Sequence, residues 1–222
     1  MGELVSEAAN PVLPTNPVVE AWSKIIDGKC EKYFHEEKVE TDNNLLIKKF
    51  LTDIFDEYSE RKGKKIERIV DIGSGLFQKY LPDEYKDKTV LVDLVEIPID
   101  RRSKNPTIQA DANKKLPIED EKYQAVTSGK LINYLENPDN LIDEMVRILE
   151  KDGLFCMWAF AGNMKGKIDD QAITNFYPEK VAEQLKSKGL KNIRTAELIN
   201  YGIRPDLMIL DEIKVMAVVA EK

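Results

Sequence analysis

The chain is poor in the residues that staple secreted folds and hold metals, with two cysteines and one histidine in 222 residues. Cys30 and Cys156 lie far apart, too few for a disulfide framework. Cys156 falls inside the apolar run Leu154-Phe155-Cys156-Met157-Trp158 and reads as a buried thiol. The single histidine, His35, leaves a zinc site almost nothing to build on, so no metal is expected. Long apolar runs are missing too: none approaches the roughly 20 residues that cross a bilayer. The N-terminus lacks the basic start and apolar centre of a secretory signal. Positive charge is in deficit, with 33 Lys and Arg against 40 Asp and Glu and a formal net charge of −7. Such a field repels bare nucleic acid and anionic membrane, so neither is expected as a partner. A reducing, cytoplasmic setting fits these absences; the oligomeric state is not legible.

What is present suits one globular α/β domain, with 42% hydrophobic and 33% charged residues. Residues 1–42 read as an N-terminal arm, with a possible lid helix carrying Trp22, Ile25 and Ile26, and residues 43–222 as the domain proper. Thr41-Asp42 offers a helix N-cap. The apolar set Leu45, Leu46, Phe50, Leu51, Ile54, Phe55 and Tyr58 then has the period of a helix packed on one face, ended by Arg61-Lys62-Gly63-Lys64-Lys65. Strand-like runs follow at Ile66–Ile72, Thr89–Leu94, Pro106–Ala110, Tyr123–Ser128 and Leu154–Phe160. A helix by period, Leu141–Leu149, separates the last two. Near-continuous apolar strands belong to a parallel sheet covered on both faces. Tyr177–Gly189 reads as a helix with Pro178 in its first turn. Asn192–Asn200 and Glu212–Ala220 are strands with no helix between them, hence antiparallel. The expected fold is α/β: a seven-stranded, mostly parallel sheet with helices on both faces and a C-terminal antiparallel strand hairpin.

In such a sheet, ligands bind beyond the carboxyl ends of the strands. The first strand ends in Asp71-Ile72-Gly73-Ser74-Gly75, where glycines let the backbone turn sharply and approach a cofactor. The second ends at Asp93, twenty positions after Gly73, where a carboxylate can accept both hydroxyls of a ribose. The third ends at Asp111-Ala112 and the fourth at Ser128-Gly129-Lys130.

From Ile69 to Phe160 these features, in this order, resemble the core of the class I, Rossmann-like S-adenosylmethionine-dependent methyltransferases, in their small-molecule-type branch. Asp71-Ile72-Gly73-Ser74-Gly75 resembles the family's first motif, and Asp93 its acidic residue after the second strand. Asp111-Ala112 resembles the acidic pair beside the adenine. Leu116–Val126 and Leu141–Gly153 look like the approaches to the fourth and fifth strands. The resemblance implies methyl transfer from S-adenosylmethionine to a small-molecule or protein acceptor. It places Asp71, Gly73, Ser74 and Gly75 at the methionine part of the cofactor and Asp93 at the ribose. Leu94, Asp111 and Ala112 would lie at the adenine, and Ser128 and Lys130 below the sulfonium. His35, Asn133 and Tyr134 are the candidates for the acceptor side.

The sequence departs from the pattern at Phe77, where the family usually carries another glycine. Pro98 and Pro106 also leave room for only a short or broken helix after Asp93. These departures keep open a catalytically inactive, methyltransferase-like binding or regulatory subunit. An NAD(P)-dependent oxidoreductase is a third reading, since Asp93 suits a ribose there as well. Gly73-Ser74-Gly75-Leu76-Phe77-Gln78, however, lacks the third glycine of the dinucleotide fingerprint.

Overall fold

The computed structural model describes residues 37–75, 79–94, 105–161, 167–168, 171–172, 175–204 and 209–222. His35, Phe77 and Pro98, and the arm that precedes residue 37, lie outside the described residues. Helix α1 spans Glu37–Lys62, strand β1 Ile69–Ile72, the short α2 Asp83–Lys86, β2 Thr89–Asp93 and β3 Thr107–Gln109. β4 is Tyr123–Gly129, followed by a 3-10 turn at Leu131–Tyr134, α3 at Pro138–Ile148 and β5 at Leu149–Ala161. A two-residue pair, β6 (Lys167–Ile168) and β7 (Gln171–Ala172), precedes α4 (Pro178–Ser187), β8 (Lys191–Arg204) and β9 (Ile209–Glu221).

The main sheet has seven strands in the order β3-β2-β1-β4-β5-β9-β8. β1 to β5 run parallel, whereas β9 is antiparallel to both β5 and β8. This is the expected sheet and hairpin. The strand order reverses between β1 and β4, so their carboxyl ends open the crevice in which α/β sheets hold ligands.

Two apolar layers cover the sheet. On one face α1 lays Ile47, Leu51, Phe55 and Tyr58 against Ile69, Leu91, Ala125 and Cys156. On the other, Leu141, Ile142, Met145 and Ile148 of α3 and Val181 and Leu185 of α4 meet Val70, Ile72, Val126 and Phe155. Alternate residues of β1 thus enter opposite layers, as the period of a strand requires.

Several details of the elements differ from expectation. The buried stripe of α1 is narrower than the apolar pattern: Leu45 and Leu46 are exposed, and Phe50 and Ile54 only flank the core. The spacing 47, 51, 55, 58 is the row that stays on one side of a 3.6-residue helix, and Leu45 and Leu46 fall off it. α1 also starts at Glu37 and passes through Thr41-Asp42, so that pair is no cap; carboxylates near a helix start suit the helix whether or not they cap it. Gly63, at φ +62°, is the left-handed residue beyond its end. Finally, α3 begins earlier than expected, with Asn137 capping the amide of Asn140 and Pro138 in the first turn. β5 starts at Leu149, paired with Tyr123 before a register shift.

The approach to β4 is fastened to α3 by one arginine. Arg147 donates to both carboxylate oxygens of Glu144, at 2.8 and 2.7 Å, to the carbonyls of Ile118 (2.7 Å) and Leu116 (3.3 Å), and to Asp120. Glu144 in turn accepts the amide of Leu116 at 2.7 Å. Replacing Arg147 by alanine leaves the buried Glu144 without its counter-charge and frees two carbonyls. The expected loss is about 3 kcal/mol of unfolding free energy, measured by urea titration. A loss within the ~0.5 kcal/mol typical of an exposed ion pair would show that the cluster holds nothing together.

Candidate functional site

The loop after β1 is built from main-chain contacts that only glycine permits. Gly73 donates its amide to the carbonyl of Val92 at 2.7 Å, with φ +74°. A Cβ there would stand 2.7 Å from the Cβ of Leu131, so the 3-10 turn after β4 packs directly against this residue. Gly75 differs. It too has positive φ (+62°), but a Cβ on it would meet nothing within 4 Å among the described residues, so among them it faces open space. Its amide donates to Oδ2 of Asp93 at 2.9 Å. Asp93 therefore stands beside the open face of the loop, at the carboxyl end of the neighbouring strand. Leu94 follows, half-buried, with its carbonyl accepting from Gln109 at 3.2 Å.

Beneath the loop lies a buried carboxylate. Asp71 is wholly enclosed, with Oδ1 accepting the Thr127 hydroxyl at 2.6 Å and Oδ2 accepting the Tyr80 hydroxyl at 2.5 Å. Burial pushes its pKa up from 3.8 to about 6; the two hydroxyl donors pull it back down, while the charge of Asp93 adds to the rise. Asp71 thus has no surface of its own for a ligand to touch. The Ser74 hydroxyl is buried and has no hydrogen-bond partner among the described residues. An orphan of this kind inside a glycine loop calls for an external donor or acceptor.

The end of β4 is tightly packed. Ser128 is buried and donates its hydroxyl to the carbonyl of Ile72 at 2.9 Å, tying β4 to β1. A Cβ on Gly129 would fall 2.4 Å from the ring of Trp158, so the indole lies where any side chain would be. Lys130 has φ +62°, donates its amide to the carbonyl of Trp158 at 2.6 Å and holds its ammonium 4.8 Å from the centre of the Phe160 ring. Asn133 is fully buried, and its amide makes a two-way pair with the main chain of Phe160, both bonds 3.0 Å. It fastens the turn to β5 as a strand neighbour would. Tyr134, beside it, is half-buried.

On the far side of the crevice, Asp111 accepts the Asn113 amide at 3.0 Å and pairs with Lys114 at 3.1 Å. Burial works to raise its pKa, but the Asn113 amide and side chain and the Lys114 ammonium outweigh it and hold the carboxyl below its ordinary value. Ala112 is buried, and its carbonyl accepts from Asn140 at 3.0 Å.

The structure thus brings Gly73, Ser74, Gly75 and Asp93 together at adjoining strand ends, with Asp111-Ala112 after β3 on the same edge. Ser128 and Asn133 face into the protein. Two residues escaped the sequence reading: Thr127 and Tyr80. Thr127 sits directly across from Asp71 in the β1–β4 register. A hydroxyl in the middle of a buried strand was its only signal. Among the described residues, no group of three His, Cys, Asp or Glu side chains could hold a metal, and no helix is long and apolar enough to cross a membrane.

Residues 70–157 match the family model described as a methyltransferase domain, the stretch from β1 into β5 that builds this crevice. The fold is shared with a SAM-dependent methyltransferase from Archaeoglobus fulgidus at 15% identity and a TM-score of 0.59, covering 81% of this chain and 94% of that one. It is shared equally with the 1,6-didemethyltoxoflavin N1-methyltransferase of Burkholderia thailandensis, at 14% identity and TM-score 0.59, over 91% and 89% of the two chains. A possible histamine N-methyltransferase from Thermotoga maritima gives 16% and 0.59, over 91% and 99%. No curated protein sequence matches the chain. The fold is the class I S-adenosylmethionine-dependent methyltransferase fold. The fold and the matched domain are what the chain shares with these methyltransferases.

Proposed function

We propose that the chain methylates a neutral or cationic small molecule, or a protein side chain, in the crevice between β1 and β4. The observation that carries this reading is the Gly75–Asp93 pair: an open-faced glycine whose amide holds a strand-end carboxylate at 2.9 Å. The residues fit the cofactor. The main chain of Gly73-Ser74-Gly75 would admit its methionine part, and the orphan Ser74 hydroxyl would find a partner there. Asp93 would hold the ribose hydroxyls. Leu94, Asp111 and Ala112 would border the adenine, and Ser128 and Lys130 would shape the site below the sulfur through their main chain. Asp71 supports the loop from beneath.

Bound S-adenosylmethionine supplies a methyl group already activated on a sulfonium. What remains for the protein is to align the acceptor with it and to exclude water. A dedicated base is needed only for an acceptor that carries a proton near neutral pH. Of the described acceptor-side candidates, Asn133 has its amide engaged by Phe160, and Tyr134 beside it is half-buried. The net charge of −7 favours a neutral or cationic acceptor over nucleic acid.

The test is calorimetric titration with S-adenosylmethionine and S-adenosylhomocysteine, with NADH as control. Binding of the first two and not the third is expected. Binding of NADH alone would overturn the reading, and binding of none would point to a chain that keeps the fold without its chemistry.

A further inference from the structure

Tyr80 lies outside every motif that the sequence offered, yet it touches three parts of the site. Its hydroxyl donates to the buried Asp71 of β1 at 2.5 Å and lies 3.3 Å from the carbonyl of Ser74 in the glycine loop. Its ring stands edge-on to Trp158 of β5, with centroids 5.2 Å apart and planes at 73°. That indole in turn fills the space over Gly129 at the end of β4. We propose that Tyr80 is the positioning residue of the cofactor loop, fastening the Ser74 carbonyl to the Asp71 carboxylate and bracing both against Trp158.

One proton serves two acceptors. With Asp71 ionised, the tyrosine proton goes to the carboxylate, and the Ser74 carbonyl receives at most the weaker arm of a shared bond. Once solvent protonates Asp71, the carboxyl can itself donate to the tyrosine oxygen, and the tyrosine proton turns to Ser74. The loop is then held by a direct hydrogen bond. Among the described residues, the titratable groups facing Asp71 are Tyr80 from the segment after β1, Asp93 from β2 and Cys156 from β5, with the Thr127 hydroxyl facing it from β4. Burial and the neighbouring Asp71 carboxylate raise both Tyr80 and Cys156 far above the range in which Asp71 titrates. Neither of those two therefore exchanges its proton where Asp71 does.

The inference rests on the proposed cofactor site, but part of its test needs no ligand. In a Trp22→Phe background the fluorescence reports Trp158 alone, because the chain has two tryptophans. Its pH titration should show a midpoint near 6, the value to which Asp71 is raised. Tyr80→Phe removes a donor to the ionised carboxylate and should move that midpoint up by about one pH unit. It should also speed amide exchange in the Gly73–Gly75 loop and weaken S-adenosylhomocysteine binding about fivefold, with the circular dichroism unchanged. Should Tyr80→Phe fail to fold, Asp71→Asn serves: the titration near pH 6 must vanish from it. An unmoved midpoint with unchanged loop exchange in Tyr80→Phe, or a titration that persists in Asp71→Asn, overturns the inference. If the parent protein binds no S-adenosylhomocysteine, the proposed function fails instead, and the ligand-free titration and exchange still decide the role of Tyr80.

Discussion

Asp93→Ala should lower the affinity for S-adenosylhomocysteine about 100-fold, because the substitution removes two interactions together. In the proposed site the carboxylate would accept ribose hydroxyls, and hydrogen bonds to a charged group are worth about 1.5–3 kcal/mol. The same carboxylate also holds the amide of Gly75 at 2.9 Å. Without it, the glycine loses this hydrogen bond, and the loop must be ordered at the expense of binding. The two losses together come to roughly 3 kcal/mol, or about two decades in Kd. Asp93→Asn separates them. The amide oxygen can still accept from Gly75, so the loop should keep its shape while the charge-assisted part of ribose recognition disappears. Asparagine should therefore cost about tenfold and alanine about ten times more. The measurement is calorimetry on both variants, with the unfolding midpoint as control for the fold. Equal affinities for parent and alanine variant would remove Asp93 from the site altogether.

This double role was only half visible in the amino-acid sequence. The spacing from Gly73 to Asp93 spans one crossover between parallel strands, so a carboxylate at the second strand end could be read without coordinates. That it bonds back to the loop could not, because the bond depends on the register of β2 against β1. The sheet itself was legible for a similar reason: continuous apolar runs separated by glycine and polar turns leave a parallel sheet as the economical solution. The hairpin of β8 and β9 followed from two strands with nothing helical between them. Three-dimensional facing was what the one-dimensional pattern lacked. Leu45 and Leu46 extend the apolar pattern of α1 but lie off its buried row. Ser128 and Asn133 sit at the right positions in the chain, yet their polar atoms turn to the main chain of Ile72 and Phe160. Tyr80 and Thr127 are invisible until β1 and β4 are paired, for only then does a buried aspartate require two hydroxyl donors.

That aspartate should make the protein lose stability as the pH rises from 4 to 7. Asp71 is fully buried, and its pKa is raised from 3.8 to about 6, chiefly by burial. A folded-state pKa above the unfolded one means that the native chain holds the proton more tightly than the unfolded chain does. The stabilising contribution is therefore complete below the unfolded value and is lost as the pH passes through 6. The difference between the two values corresponds to about 3 kcal/mol. Asp71→Asn has no proton to lose, so urea unfolding at pH 4, 5, 6 and 7 should show the parent declining by about 2 kcal/mol relative to the variant, the rest of the difference lying below pH 4. Parallel profiles would mean that the carboxyl does not titrate in this range. Near neutral pH, then, the parent carries a buried charge that weakens its own fold, and an asparagine of the same shape would relieve it. The argument for keeping the charge lies in the ligand. In the proposed site S-adenosylmethionine would bring a sulfonium and an ammonium to the loop above Asp71, and a carboxylate in low-dielectric surroundings attracts cations more strongly than one in water. Asp71→Asn should therefore bind S-adenosylmethionine more weakly at pH 7, and the loss should be smaller for S-adenosylhomocysteine, which lacks the sulfonium. Stability and cofactor affinity should move in opposite directions in this one variant. Equal losses for the two ligands would confine Asp71 to holding Tyr80 and Thr127 in place.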